Sequence, residues 1–226
     1  NTKVNKKIMD TKTYHTEKYN EALLKIEHFS KFNHMIPFVG NQYEKFNILI
    51  IAESFYLPQE STIHLDKKWY QKSTKDLNKE ECEWTSPVYA IRDFHKNEKV
   101  DKGHTIYLNL KNALEKALDM ETKDVYKYIA YYNYFQRPAK YTESIEITSE
   151  DKDVSNKVFT GILNILKPNL IVVTSSKCRD NITFPIEIKD KIIFTPHPVS
   201  VWWNRKDSNN NIGKNKFIDS VKAIIK

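Results

Sequence analysis

Apolar residues along this chain fall into short unbroken runs set between longer stretches of helical spacing. The run FNILIIAES (46–54) is β-branched, apolar at successive positions and only a few residues long. That pattern predicts a strand buried on both faces, as in a parallel sheet. Similar runs occur at YKYIAYYNYF (126–135), NLIVVTSS (169–176) and KIIFTP (191–196). Between them the period lengthens. TEKYNEALLKIEHFSKF (16–32) sets Leu23, Leu24, Ile26 and Phe29 at helical spacing behind Thr16 as a cap. GHTIYLNLKNALEKAL (103–118), DVSNKVFTGILNILKP (153–168, stopped by Pro168) and GKNKFIDSVKAIIK (213–226) are further predicted helices. Residues 1–15 are polar and basic and are expected to fray. Residues 57–103 form a long polar connection without clear periodicity, and connections of that length are usually functional or mobile.

Strands alternating with helices predict an α/β fold with a mainly parallel sheet of about four strands. No repeat or linker divides the chain, so one domain over 1–226 is expected. In open α/β sheets ligands collect at the carboxyl ends of the strands. Here those ends read AES, YNYFQRP, TSS and TPHP, and three of the four carry side chains suited to chemistry.

Composition narrows the function classes. The formal charge is +7, spread along the chain with no polybasic tail, which permits a polyanionic partner. Two cysteines, Cys82 and Cys178, form no CxxC pair and no disulfide scaffold, which fits a reducing compartment. No apolar run approaches the roughly 18 residues of a membrane span, and no leader pattern is visible; a soluble, cytoplasmic, monomeric protein with no membrane contact is expected. The histidines lack ligand spacing, so neither a metal nor a cofactor is expected.

The candidate chemistry lies at the strand ends. Glu53 can hold a water or accept a proton, or simply cap a helix. Asn133 offers a donor and an acceptor together, suited to the edge of a nucleobase, or serves as a structural amide. Arg137 just beyond it is a candidate phosphate contact. His197 lies between Pro196 and Pro198, whose rings fix φ and stiffen the loop that aims the imidazole. Trp202 and Trp203 follow. In an extended loop they alternate, one packing inward while the other, beside Arg205 and Lys206, stacks on a base or wedges into a helix. KKWYQKSTK (67–75) interleaves Lys67, Lys68, Lys72 and Lys75 with Trp69 and Tyr70, either a backbone-tracking strip or a solvated loop.

Taken in order, these signals resemble the uracil-DNA glycosylase superfamily. The first motif there is GQDPY in one branch and GE[AG]PG in another; AESFY (52–56) occupies its place, with Glu53 matching the second branch and Tyr56 the first. NYFQRP is similar to the NVVKCRPP of one branch and makes Asn133 the base-reading residue. HPVS is similar to the HPS loop and makes His197 its histidine. The series covers about residues 46 to 206. Departures are Ala52 for the first glycine, Ser54 for the catalytic aspartate, Phe55 for proline and Val199 for the serine of HPS. Two cysteines are too few for the four-cysteine iron–sulfur branch.

The resemblance implies a three-layer α/β/α sandwich that hydrolyses the N-glycosidic bond of a base flipped out of DNA, duplex or single-stranded. Glu53 would hold the water and His197 the leaving base. Asn133 would read its edge, with Ser54, Phe55 and Tyr56 around it. Trp202 or Trp203 would enter the minor groove, with Arg205, Arg137, Lys67 and Lys68 toward phosphate. Two alternatives stay open: a nucleic-acid binder without the chemistry, and a hydrolase of a modified base or free nucleoside.

Overall fold

The computed structural model describes residues 14–65, 68–96, 103–120 and 124–225. Its elements in chain order are α1 (Asn20–Leu23), α2 (Glu27–Lys31), β1 (Phe38–Val39), β2 (Ile48–Ala52), α3 (Lys79–Trp84), α4 (Pro87–Lys96), α5 (Thr105–Leu118), β3 (Ile129–Asn133), α6 (Ser149–Leu166), β4 (Leu170–Val173), α7 (Ser176–Arg179), β5 (Ile192–Phe194), α8 (Val201–Asn204) and α9 (Gly213–Ile225). The strands form one sheet in the order β1-β3-β2-β4-β5. β2, β3, β4 and β5 pair in parallel, and β1 closes one edge antiparallel to β3.

The sheet is buried on both faces, and the alternation of side chains builds two cores. Leu49, Ile51, Ala130, Tyr132, Ile171 and Val173 pack with α1, α2 and α6. Ile48, Ile50, Tyr131 and Val172 pack with α4, α5 and α9 on the other side. This is why β2 is apolar at every position: no residue of it faces water. Each fully buried leucine or isoleucine there contributes about 1.5–3 kcal/mol. Helices on both faces make the α/β sandwich.

The topology reverses at β2. From β2 the chain crosses over α3–α5 to β3 on one side, then over α6 to β4 on the other. The carboxyl end of β2 is therefore a topological switch point, where diverging connections leave a crevice.

Several elements differ from the sequence expectation. The sheet has a fifth strand, β1, whose two residues are too few to give a periodic signal. The helix expected over 16–32 is two short helices broken at Leu24–Ile26. Ile26 is extended there and seats its side chain on Gly161 of α6, where an added Cβ would lie 2.8 Å from Ile26 Cδ1. The 57–103 connection is not structureless. Asn78 and Glu81 form a capping box that starts α3, and Pro87 opens α4, turning Ile91 and Phe94 inward. α6 starts at Ser149 and not at residue 153, because Thr148 and Asp151 form another capping box. Of the start expected to fray, residues 1–13 lie outside the described residues, but Tyr14 is buried and His15 pairs with Gly40. Among the described residues no helix is long and apolar enough to cross a membrane.

Candidate functional site

Glu53 leaves the carboxyl end of β2 at the switch point. Two serines hold its carboxylate. Ser144 Oγ donates to Oε1 at 2.5 Å, and Ser175 Oγ donates to Oε2 at 2.7 Å. Ser175 lies just past β4, the strand beside β2, and Ser144 lies in the turn between β3 and α6. Neither bond follows from sequence spacing, although the serines ending NLIVVTSS marked a polar strand end.

His197 enters from the next strand. Thr195 N–H donates to Val173 O at 2.9 Å, extending the β4–β5 ladder to the brink of the loop. Pro196 packs against Gly213, where a Cβ would lie 2.6 Å from Pro196 Cδ, so only glycine lets α9 start this close. Asn109 Nδ2 of α5 donates to Pro198 O at 2.8 Å and pins the far side. Within the loop, Val199 N–H donates to His197 Nδ1 at 3.2 Å. A ring nitrogen that accepts carries no hydrogen, so the neutral imidazole bears its proton on Nε2. Burial lowers the His197 pKa below its ordinary value, and the charge of Glu53 opposes that shift in part. At neutral pH the ring is thus a neutral Nε2–H donor.

Glu53 and His197 line one cleft of about 1070 Å³, together with Ser175, Thr195, Ser200 and Trp202. Single small-ligand pockets span about 300–1,000 Å³, so this cleft has room for more than one isolated base.

The tryptophans divide, though not by strand alternation. Residues 201–204 form one helical turn, α8. Trp203 is 1% exposed and packs edge-on against Phe217, at 5.7 Å between ring centroids. It is therefore a core residue and not a DNA contact. Trp202 is 53% exposed, with Val199 and Val201 exposed beside it. Arg205 is exposed at the end of this turn.

Other expected site residues take different places. Asn133 ends β3 in register with Ala52, is 5% exposed, and leaves Oδ1 buried without a hydrogen-bond partner among the described residues. It is not among the residues lining the cleft. Phe55 is buried in the core on the α6 side, so it offers no open face for stacking. Tyr56 is 42% exposed, and burial followed by the charge of Glu53 raises its pKa. Ser54, between Glu53 and Phe55, is partly exposed. Arg137 is not free for phosphate: its guanidinium donates to both oxygens of Asp151, at 3.0 and 2.6 Å, and to Glu146 O. In the 67–75 stretch Lys68 is exposed, but Trp69 and Tyr70 are buried, so the aromatic half of the expected strip faces the core. Lys67 lies outside the described residues.

Compared with protein-family models and with curated proteins, the chain matches none.

Proposed function

We propose that the protein hydrolyses the N-glycosidic bond of a base in DNA, in the manner of the uracil-DNA glycosylase superfamily that its motifs resemble. One observation carries this reading: Glu53 and His197, from separate strand ends, line a single cleft beside the switch point of the sheet. Breaking the bond builds positive character on the sugar and negative charge on the departing base. Glu53 holds the attacking water and favours the cationic sugar. His197, neutral with Nε2–H outward, donates to the base as charge grows on it. Trp202, with Val199 and Val201 beside it, is the wedge that occupies the space left by an extruded base, and Arg205 lies near the phosphates.

A non-catalytic DNA-binding role is the second reading. Asn133 away from the cleft lining and Ser54 in the place of the superfamily's aspartate favour it.

A panel of oligonucleotides carrying damaged and modified bases, duplex and single-stranded, separates the two. Base release is expected from at least one, and the Glu53→Gln and His197→Ala variants should each slow its single-turnover release about a hundredfold while leaving DNA affinity nearly intact. DNA retained with no abasic product anywhere in the panel selects the binding role. Release by both variants at the parental rate removes the mechanism.

A further inference from the structure

The Glu53 carboxylate is gripped unequally. Ser144 is exposed, and it follows Thr142, whose φ of 62° marks a tight surface turn. Water competes for its hydroxyl. Ser175 is only 1% exposed, at the wall of the cleft, so water hardly competes for its hydroxyl. Its hydroxyl has one hydrogen to give and lone pairs to offer. Cys178 N–H donates into Ser175 Oγ at 3.3 Å, as the cap of α7. That bond takes an acceptor site and leaves the single hydrogen for Glu53 Oε2, at 2.7 Å.

The backbone beneath is equally fixed. Thr174 N–H and Oγ1–H both donate to Ile51 O, at 2.8 and 3.0 Å, carrying the β4–β2 ladder past the end of the named strands. Cys178 Sγ reaches Ala52 O at 3.5 Å. The end of β4 is thereby bolted to the end of β2 on both sides of the Ser175–Glu53 bond.

We propose that Ser175 is the positioning residue of the site: its buried, directionally locked hydroxyl holds the Glu53 carboxylate in the orientation that presents it to the cleft. This rests on the reading of Glu53 as the water-holding group. A serine that merely caps α7 would act on stability alone. A positioning serine acts through Glu53 and leaves DNA binding untouched.

The test combines a carboxylate signal with rates. Protein labelled with 13C at the glutamate δ-carbon is compared as parent, Ser175→Ala, Ser175→Gly and Ser175→Thr, with Glu53→Gln assigning the resonance. Glycine tolerates an N-cap position nearly as well as serine, so Ser175→Gly removes the hydroxyl and leaves the helix start largely intact if Ser175→Ala fails to fold. The Glu53 resonance is expected to move in the alanine and glycine variants and to return in the threonine variant. On the oligonucleotide released fastest in the panel, loss of a hydrogen bond to a charged group should slow single-turnover release about tenfold with unchanged DNA Kd. Ser175→Thr should restore it, and Ser175→Gly should add nothing in the Glu53→Gln background. An unmoved Glu53 resonance, or an equal further loss of rate in the Glu53→Gln background, overturns the proposal. If the resonance moves and returns as expected but no oligonucleotide in the panel loses a base, the glycosylase reading fails and takes the water-positioning role with it, while the hold of Ser175 on the carboxylate stands.

Discussion

Replacing Asp151 with alanine is expected to remove about 3–5 kcal/mol of stability, the range for breaking one partner out of a buried ion pair. Asp151 is fully buried at the first turn of α6. Its oxygens accept from Arg137 Nε and Nη2, from Tyr70 OH at 2.5 Å, and from Thr148 N and Oγ1, both at 2.8 Å. Burial pushes its pKa up, but the bonds from Arg137, Tyr70 and Thr148 outweigh burial and the net shift is downward. Truncation strands a guanidinium whose side chain is only 15% exposed, orphans a buried phenol, and opens the capping box together. Denaturant unfolding measures the effect. Replacing both partners, Arg137→Met with Asp151→Leu, should cost less than the sum of the single changes, because no uncompensated charge remains. A single-variant loss below about 1 kcal/mol would mean that solvent screens the pair as at an open surface.

Acidification is expected to destabilise the protein steeply between about pH 6.5 and pH 4, beginning well above the range where most carboxylates titrate. Burial lowers the pKa of His28 to about 3, with Lys31 and His34 adding to the shift. Burial also lowers that of His34 to about 4. His28 stacks on Phe32, and its Nε2 is buried without a partner among the described residues. His34 spans Thr74 and Thr85 through its two nitrogens, at 3.1 and 2.9 Å. The unfolded chain protonates both near pH 6.5, whereas the folded one stays neutral until much lower. The stability they contribute is whole above the unfolded pKa and is lost as pH falls toward the folded values. Each accounts for about 1.4 kcal/mol per pH unit, so the two together approach 3 kcal/mol per unit. Two units of acidification therefore remove stability comparable to the low end of a typical total of about 5–15 kcal/mol. His15, His64, His95 and His197 shift the same way, also chiefly through burial. Unfolding curves at successive pH values test this, and His28→Phe should flatten the slope by one histidine's share. Stability that stays level from pH 6.5 to pH 4.5 would contradict it.

What the sequence disclosed was what local pattern encodes. β2, β3 and β4 were legible because strands covered on both faces must be apolar at consecutive positions, as ILIIA and LIVV are. α5 and α9 were legible because each presents one wide apolar stripe. β1 was not, since two residues carry no period. The tryptophan pair separated as expected, one in and one out, but for another reason. A helical turn sets neighbouring side chains about 100° apart, enough to send Trp203 to Phe217 and leave Trp202 in water. At the site, Glu53 and His197 were legible from their places after strands. Their supports were not. Ser144 and Ser175 reach Glu53 across 91 and 122 residues of chain, distances that only the topology closes. Arg137 reads as a free cation in the sequence because its partner Asp151 lies in the first turn of α6, ahead of the residues where helical spacing becomes visible.

The central place of β2 also governs how the chain can assemble. Ile48 pairs with Ile129 on one side and Leu170 on the other, so the longest wholly apolar strand of the sheet has both partners far downstream. Loop closures of that length are slow, and an uncharged ILIIA segment left unpaired is a template for intermolecular strand pairing. Fragments that end before Ile129 should therefore aggregate through β2, while the full chain, with β3 and β4 beside β2 and α9 over its face, should not. During synthesis the segment stays unpaired until residues 129–133 have emerged, so the growing chain must keep β2 apart from its own copies over that interval.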